Sequence, residues 1–154
     1  MNIHATCIRI GRAGKDLGAP ASAGVLLLGP SGAGKSDLAL RLIARGARLV
    51  SDDRTDLAVV HGRLVADAPA RLAGLLEVRG VGIVKLPHVG RVTVALVVEL
   101  SAKVPRLPDD RTFSPLNLVL KIYPPLICIN PFEASACDKV LVAALAHVRR
   151  RRVL

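Results

Sequence analysis

The chain has 154 residues, enough for one domain with a core that needs no disulfide staples, and 51% of it is apolar while only 2% is aromatic, so the core must be built from Leu, Val, Ile and Ala. The formal charge of +10 suits an enzyme that handles polyphosphates, and the lack of Trp, with one Tyr and two Phe, argues against a reader of single-stranded nucleic acid, which needs stacking aromatics. Cys7, Cys128 and Cys137 form no C-x-x-C pair and read as reduced thiols; with no charged-then-apolar start and no run of membrane-spanning length, the reading is a cytoplasmic protein with neither nucleic acid nor membrane as partner.

In chain order, Ile3 to Ile10 alternates loosely and reads as an edge strand, and Gly11 to Gly24 as a loop. Val25 to Leu28 is an apolar run expected to be a buried strand. Asp37 to Arg45 is helical and stops at Gly46, a natural C-cap. Arg48 to Val50 reads as a short buried strand ending at Ser51-Asp52-Asp53. Leu57 to Ala66 reads as a hairpin turning at Gly62-Arg63. Pro69 to Leu76 allows a short helix or a loop, and Glu77 to Val84, with Gly80 and Gly82, looks too glycine-rich for an ordinary strand. Arg91 to Leu100 is the clearest long strand. Lys103 to Pro115 reads as a mobile loop, Leu126 to Ile129 as a last core strand, and Ser135 with Asp138 as the capping pair of a final helix to about Arg150. The run Arg149 to Arg152 reads as a solvated helix end that complements the helix dipole. No repeat and no boundary interrupts the sequence, so residues 1–154 are expected to form one α/β domain.

Between the first buried strand and the first helix lies Gly29-Pro30-Ser31-Gly32-Ala33-Gly34-Lys35-Ser36, which fits G-x-x-x-x-G-K-[ST] at every fixed position. Glycines let successive backbone amides curl around an anion, and the helix N-terminus adds positive potential. Lys35 supplies a point charge for the outer phosphates, and the Ser36 hydroxyl can ligate Mg²⁺. Such a loop also needs acid nearby to hold the metal and manage the proton of an attacking hydroxyl. Asp52-Asp53, at the end of an apolar strand, stands where acids face the phosphates in such folds, although Asp is also at home in a simple turn.

The phosphate loop, then Ser51-Asp52-Asp53-Arg54, then Glu77-Val78-Arg79-Gly80-Val81-Gly82-Ile83, closely resembles the catalytic domain of bacterial HPr kinase/phosphorylase, in motif order and spacing. Ile3-His4 and Arg106-Leu107-Pro108 resemble further segments of that family, so the likeness spans roughly residues 3 to 140. The resemblance implies a P-loop fold like the nucleotide-binding part of phosphoenolpyruvate carboxykinase, a mixed sheet flanked by helices. It implies a metal-dependent kinase that phosphorylates a serine of the phosphocarrier HPr, in the sugar phosphotransferase system, with ATP or pyrophosphate. It also implies reversal by inorganic phosphate.

Carried over by residue, the resemblance makes Lys35 the phosphate-contacting lysine, Ser36 and Glu77 Mg²⁺ ligands, and Asp53 the proton acceptor for the serine hydroxyl. Asp52 becomes a metal-shell or orienting residue, His4 a partner of the acid, and Arg106 a cation at the reacting phosphate. Lys85, His88 and Arg91 read as surface residues. The family is commonly hexameric and usually carries a further N-terminal domain; this chain resembles its short form. Ala5 stands where the family often has Gly after the histidine. Cys128 to Ser135 stands where it often has a Pro-x-Arg-Pro-Gly-Arg-like segment tied to dephosphorylation. The competing readings are another P-loop kinase of small molecules, or a nucleotide-binding regulatory ATPase without protein kinase activity. No Asn-Lys-x-Asp guanine motif or substrate lid supports the former. The retained Lys35, Ser36, Asp53 and Glu77 argue against a pure binder, which needs no base.

Overall fold

The fold is described from a computed structural model that covers the backbone of residues 1–153 and the side chains of residues 1–146. The Arg149 to Arg152 side chains lie outside the described residues. The strands are β1 (Asn2–His4), β2 (Thr6–Arg9), β3 (Gly24–Leu28), β4 (Arg48–Ser51), β5 (Arg54–Val60), β6 (Arg63–Asp67), β7 (Leu75–Val78), β8 (Gly82–Lys85), β9 (Val92–Leu100) and β10 (Leu126–Ile129). The helices are α1 (Lys35–Ala44) and α2 (Ala136–Val153), with 3₁₀ segments at Gly11–Leu17 and Ala70–Leu72. Among the described residues no helix is long and apolar enough to cross a membrane.

Eight strands form one mixed sheet in the order β1-β5-β6-β9-β3-β2-β4, with β10 also on β9. β9 is the hub. It runs parallel to β3 and to β10 and antiparallel to β6, which takes only its first residues. β2 lies inside the sheet, antiparallel to both β3 and β4. The expected single edge strand over Ile3 to Ile10 is therefore two strands broken at Ala5. Only β1 lies at an edge, on β5. The break lets one stretch of chain serve both halves of the sheet.

Side chains alternate across the sheet, as strand geometry requires. Val25 and Leu27 of β3, with Ile8, Leu96 and Val98, pack against Leu38, Ala39 and Leu42 of α1 and Val140 and Leu141 of α2. Leu26, Cys7, Val50 and Val97 face the other way. Both helices thus share one face. The second face is covered by strand residues Leu57 and Leu64 and by Leu120, Phe113 and Tyr123 from the long segment after β9. The flanking helices expected from the sequence are replaced there by coil, because the turns joining β4, β5 and β6 are too short to hold a helix.

The hairpin β5–β6 turns at His61-Gly62, one residue earlier than expected, with φ of +51° and +77°. The stretch judged too rich in glycine to be a strand is a two-stranded hairpin, β7–β8. Its glycines serve the turn: Gly80 and Gly82 have φ of +85° and +119°, outside the range most residues adopt. Leu49 accepts the Val89 N–H and Gly74 accepts the Leu86 N–H, which ties the base of this hairpin to β4. Ser135 stands just before α2, and its carbonyl accepts the Lys139 N–H at 2.8 Å.

Candidate active site

The β3–α1 loop, residues 29–34, follows the edge of the sheet where β3 ends and Thr6 of β2 begins. Gly29 and Gly34, the fixed glycines of the pattern, have φ of +156° and +101°, and Gly32 between them has +83°, so glycine at these positions is a conformational requirement. A Cβ on Gly32 would meet nothing within 4 Å, which leaves open space over the loop. Lys35 is only 6% exposed. Its ammonium donates to the carbonyls of Gly29 at 2.6 Å and Pro30 at 3.0 Å. Burial lowers its pKa from the ordinary lysine value, while the Asp53 and Asp52 carboxylates pull it back up.

Asp52 is the centre of the acidic side. It is 6% exposed. Its Oδ1 accepts the hydroxyls of Ser36 at 2.7 Å and Thr6 at 2.8 Å, and its Oδ2 accepts the Glu77 backbone N–H at 3.2 Å. A buried carboxylate is held in place only when its lone pairs are met in this way. Asp52→Ala should leave these donors unpaired and destabilise the fold by about 2–3 kcal/mol, measured by denaturant unfolding. A stability unchanged within error would contradict this view of Asp52 as the anchor that joins loop, strand and hairpin.

Asp53 has the opposite surroundings. Its side chain is 66% exposed and meets His4 Nε2 at 2.9 Å. Its backbone is pinned: the amide lies 3.4 Å from the Thr6 hydroxyl oxygen, and its carbonyl accepts the Ala5 N–H at 3.0 Å. It takes φ of +67°, in the left-handed region that Asp tolerates better than most residues. The tight turn 52–54 is what aims two adjacent carboxylates differently, one inward at Ser36 and one outward at His4.

The structure therefore brings together Lys35, Ser36, Asp52, Asp53 and His4. Glu77 joins through its backbone; the residue itself is exposed. Among the described residues no three of His, Cys, Asp and Glu converge as a closed cation cage. The paired Ser36 and Asp52 oxygens still suit Mg²⁺, which takes few protein ligands and completes its shell with water and substrate phosphate. Arg106 lies elsewhere, in a groove with Arg111, Cys128 of β10 and Asp138 of α2, a groove that no residue of the loop or the Asp52-Asp53 turn lines. Thr6 was not singled out by the sequence, although it bridges the two aspartates. Its signal is weak, a buried polar residue two positions after His4 in an extended chain. Pro131 was missed as well. It closes on Gly34, where an added Cβ would sit 3.5 Å from its ring, so the segment that departs from the family pattern borders the loop.

A glycine-bent strand–loop–helix, a buried lysine, a hydroxyl–carboxylate pair and an exposed carboxylate beside a histidine have the makings of a site for transfer chemistry on phosphate groups. The family model described as the HPr serine kinase C-terminal domain matches residues 21–117. The chain belongs to this family. Among curated relatives, an HPr kinase/phosphorylase of Clostridium tetani is 50% identical over 64 residues, 42% of this chain and 21% of that protein. One of Peptoclostridium acidaminophilum is 39% identical over 99 residues, 62% of this chain and 32% of the relative. The chain thus spans a third or less of the curated relatives it matches. A solved structure titled HPr(Ser) kinase/phosphatase, from Coxiella burnetii, superposes with a TM-score of 0.77 at 25% identity and covers 99% of both chains.

Proposed function

We propose that the chain is an ATP- and Mg²⁺-dependent protein serine kinase whose substrate is HPr, on a fold like the nucleotide-binding part of phosphoenolpyruvate carboxykinase. The observation that carries this reading is the split between the two aspartates: Asp52 buried against Ser36, Asp53 exposed and held by His4. One acid serves the loop, and the other is free to meet a hydroxyl brought by a second molecule. The names of the relatives support the same substrate and reaction.

In this reading the amides of Gly32 to Ser36 wrap the outer phosphates, and Lys35 leaves the Gly29 and Pro30 carbonyls to follow the transferred group. Ser36 and Asp52 would hold Mg²⁺, with Glu77 approaching from β7, and the ion would supply positive charge to offset that of the phosphates. Asp53 accepts the serine proton as the hydroxyl oxygen attacks, and His4 keeps its carboxylate oriented. Reversal by inorganic phosphate would use Asp53 to return the proton. The tip of the β7–β8 hairpin offers Val81 and Ile83, 74% and 71% exposed, beside the site as an apolar landing for a protein substrate. Arg106 reaches the reacting phosphate in this reading only if its segment moves toward the loop. Association into a homo-oligomer of the family type and a cytoplasmic location belong to the same proposal.

Incubation with labelled ATP, Mg²⁺ and HPr tests it. Phosphoserine on HPr is the expected result. Hydrolysis without transfer, stimulated by DNA or RNA, would instead favour a regulatory ATPase.

A further inference from the structure

A second concave site lies at the opposite end of the strands. The ladder defines the two ends. On β2, Thr6 pairs with Leu27 near the loop, and Arg9 pairs with Gly24 at the far end of β3. On β4, Ser51 lies at the Asp52 end and Arg48 pairs with Arg9. Around that far end Arg9, Arg12, Lys15 and Arg48 line a cavity of about 740 Å³, together with Gly11, Gly18, Ala19, Ala21, Ser22 and Gly46. No acidic residue lines it. Among the described residues none of these four cations has an ion-pair partner. The nearest acid in sequence, Asp16, lies on the same 3₁₀ segment and is not in the wall.

Four like charges around one cavity repel one another, and that repulsion falls when an anion occupies the space. The floor is backbone-rich and fixed, since the Gly11 N–H bonds the Ala21 carbonyl and the Arg12 N–H the Gly46 carbonyl. A Cβ at Gly11 would sit 2.7 Å from the Gly46 carbonyl oxygen, and Gly11 has φ of +56°, so glycine is needed there to bring the two segments together. The volume is in the usual range for a small-molecule site and favours a compact ligand over a strand of nucleic acid or a membrane.

We propose that this cavity binds a small polyanion carrying two or more phosphate or carboxylate groups, gripped by the Arg9, Arg12 and Arg48 guanidiniums and Lys15. Arginine forks match both groups in two-point contacts, and separated cations favour a ligand with separated charges. The site is independent of the phosphate loop and does not rest on the kinase reading.

Calorimetric titration tests it, with pyrophosphate as the phosphate probe and citrate as the carboxylate probe. Lys35→Ala protein is used so that the loop contributes little. The expected result is saturable 1:1 binding of at least one probe in Lys35→Ala, weakened tenfold or more when Arg12→Ala and Arg48→Ala are added. Binding of pyrophosphate alone assigns phosphate ligands, binding of citrate alone assigns carboxylates, and both support the site. Arg12 and Arg48 are exposed, so the fold should survive; if the double replacement lowers the melting temperature sharply, Lys15→Glu in the same background gives the same readout. Absence of saturable binding in Lys35→Ala, or binding unchanged by these replacements, overturns the proposal.

Discussion

Lys35→Ala is expected to lower phosphoryl transfer to HPr by about a hundred- to a thousandfold while the protein stays folded. Removing one preorganised donor to developing charge has about this effect in enzymes generally. Lys35 has two further claims on the effect. It is the cation most deeply buried at the site, so its charge acts with little screening by water. It is also parked on loop carbonyls within reach of its target, so little reorganisation precedes its use. The fold should tolerate the loss, because the carbonyls it leaves belong to an open loop where water can replace it. Transfer rates together with thermal melting decide the matter. Near-normal transfer by a folded mutant would remove the loop from the chemistry.

Asp53→Asn is expected to lower turnover by about a hundred- to ten-thousandfold, the range a positioned base supplies, with ATP affinity changed little. Asn is nearly isosteric and accepts the left-handed backbone that Asp53 adopts, so the replacement tests the proton rather than the conformation. It can keep a hydrogen bond with His4, but it cannot take a proton. A mutant that still phosphorylates HPr at the normal rate would move the base elsewhere. Asp52 would be the next candidate, although its three bonds to Thr6, Ser36 and Glu77 leave it little freedom for the role. The expected pattern is a fall in kcat and kcat/KM together, the mark of an interaction made in the transition state.

The parts of this molecule that could be read in the sequence are those where one local rule dominates. The loop from Gly29 to Ser36 is legible because the need for backbone amides and for glycine at positive φ leaves few alternatives. The nine residues of β9 are legible for similar reasons, and so is the β5–β6 hairpin, although its turn falls at His61-Gly62, one residue before the expected Gly62-Arg63. Where two rules compete, the reading fails. Gly80 and Gly82 signal a strand-breaker, but they sit in and beside the turn of a hairpin whose strands carry the side chains, so β7 and β8 were missed. The split of residues 2–9 between two regions of the sheet depends on partners far along the chain, which no local pattern contains. At the site, the resemblance gave Asp52 and Asp53 different roles, but no local pattern showed how two adjacent carboxylates could be aimed apart. Their difference comes from the turn and from Thr6, whose hydroxyl has significance only once β2 lies beside β4.

The position of β9 bears on how the molecule comes into being. β3, which ends in the phosphate loop, has Leu27 paired with Val98, and Val98 with Ile127. Its other neighbour, β2, is closed only by the return of β4. β3 can pair with β2, close by in the chain, but its other side is closed only when β9 returns from far along the sequence, and such distant pairings slow folding. A chain interrupted before β9 is complete would leave the apolar strand β3 and the hairpin strand β6 without the neighbour that joins them into one sheet.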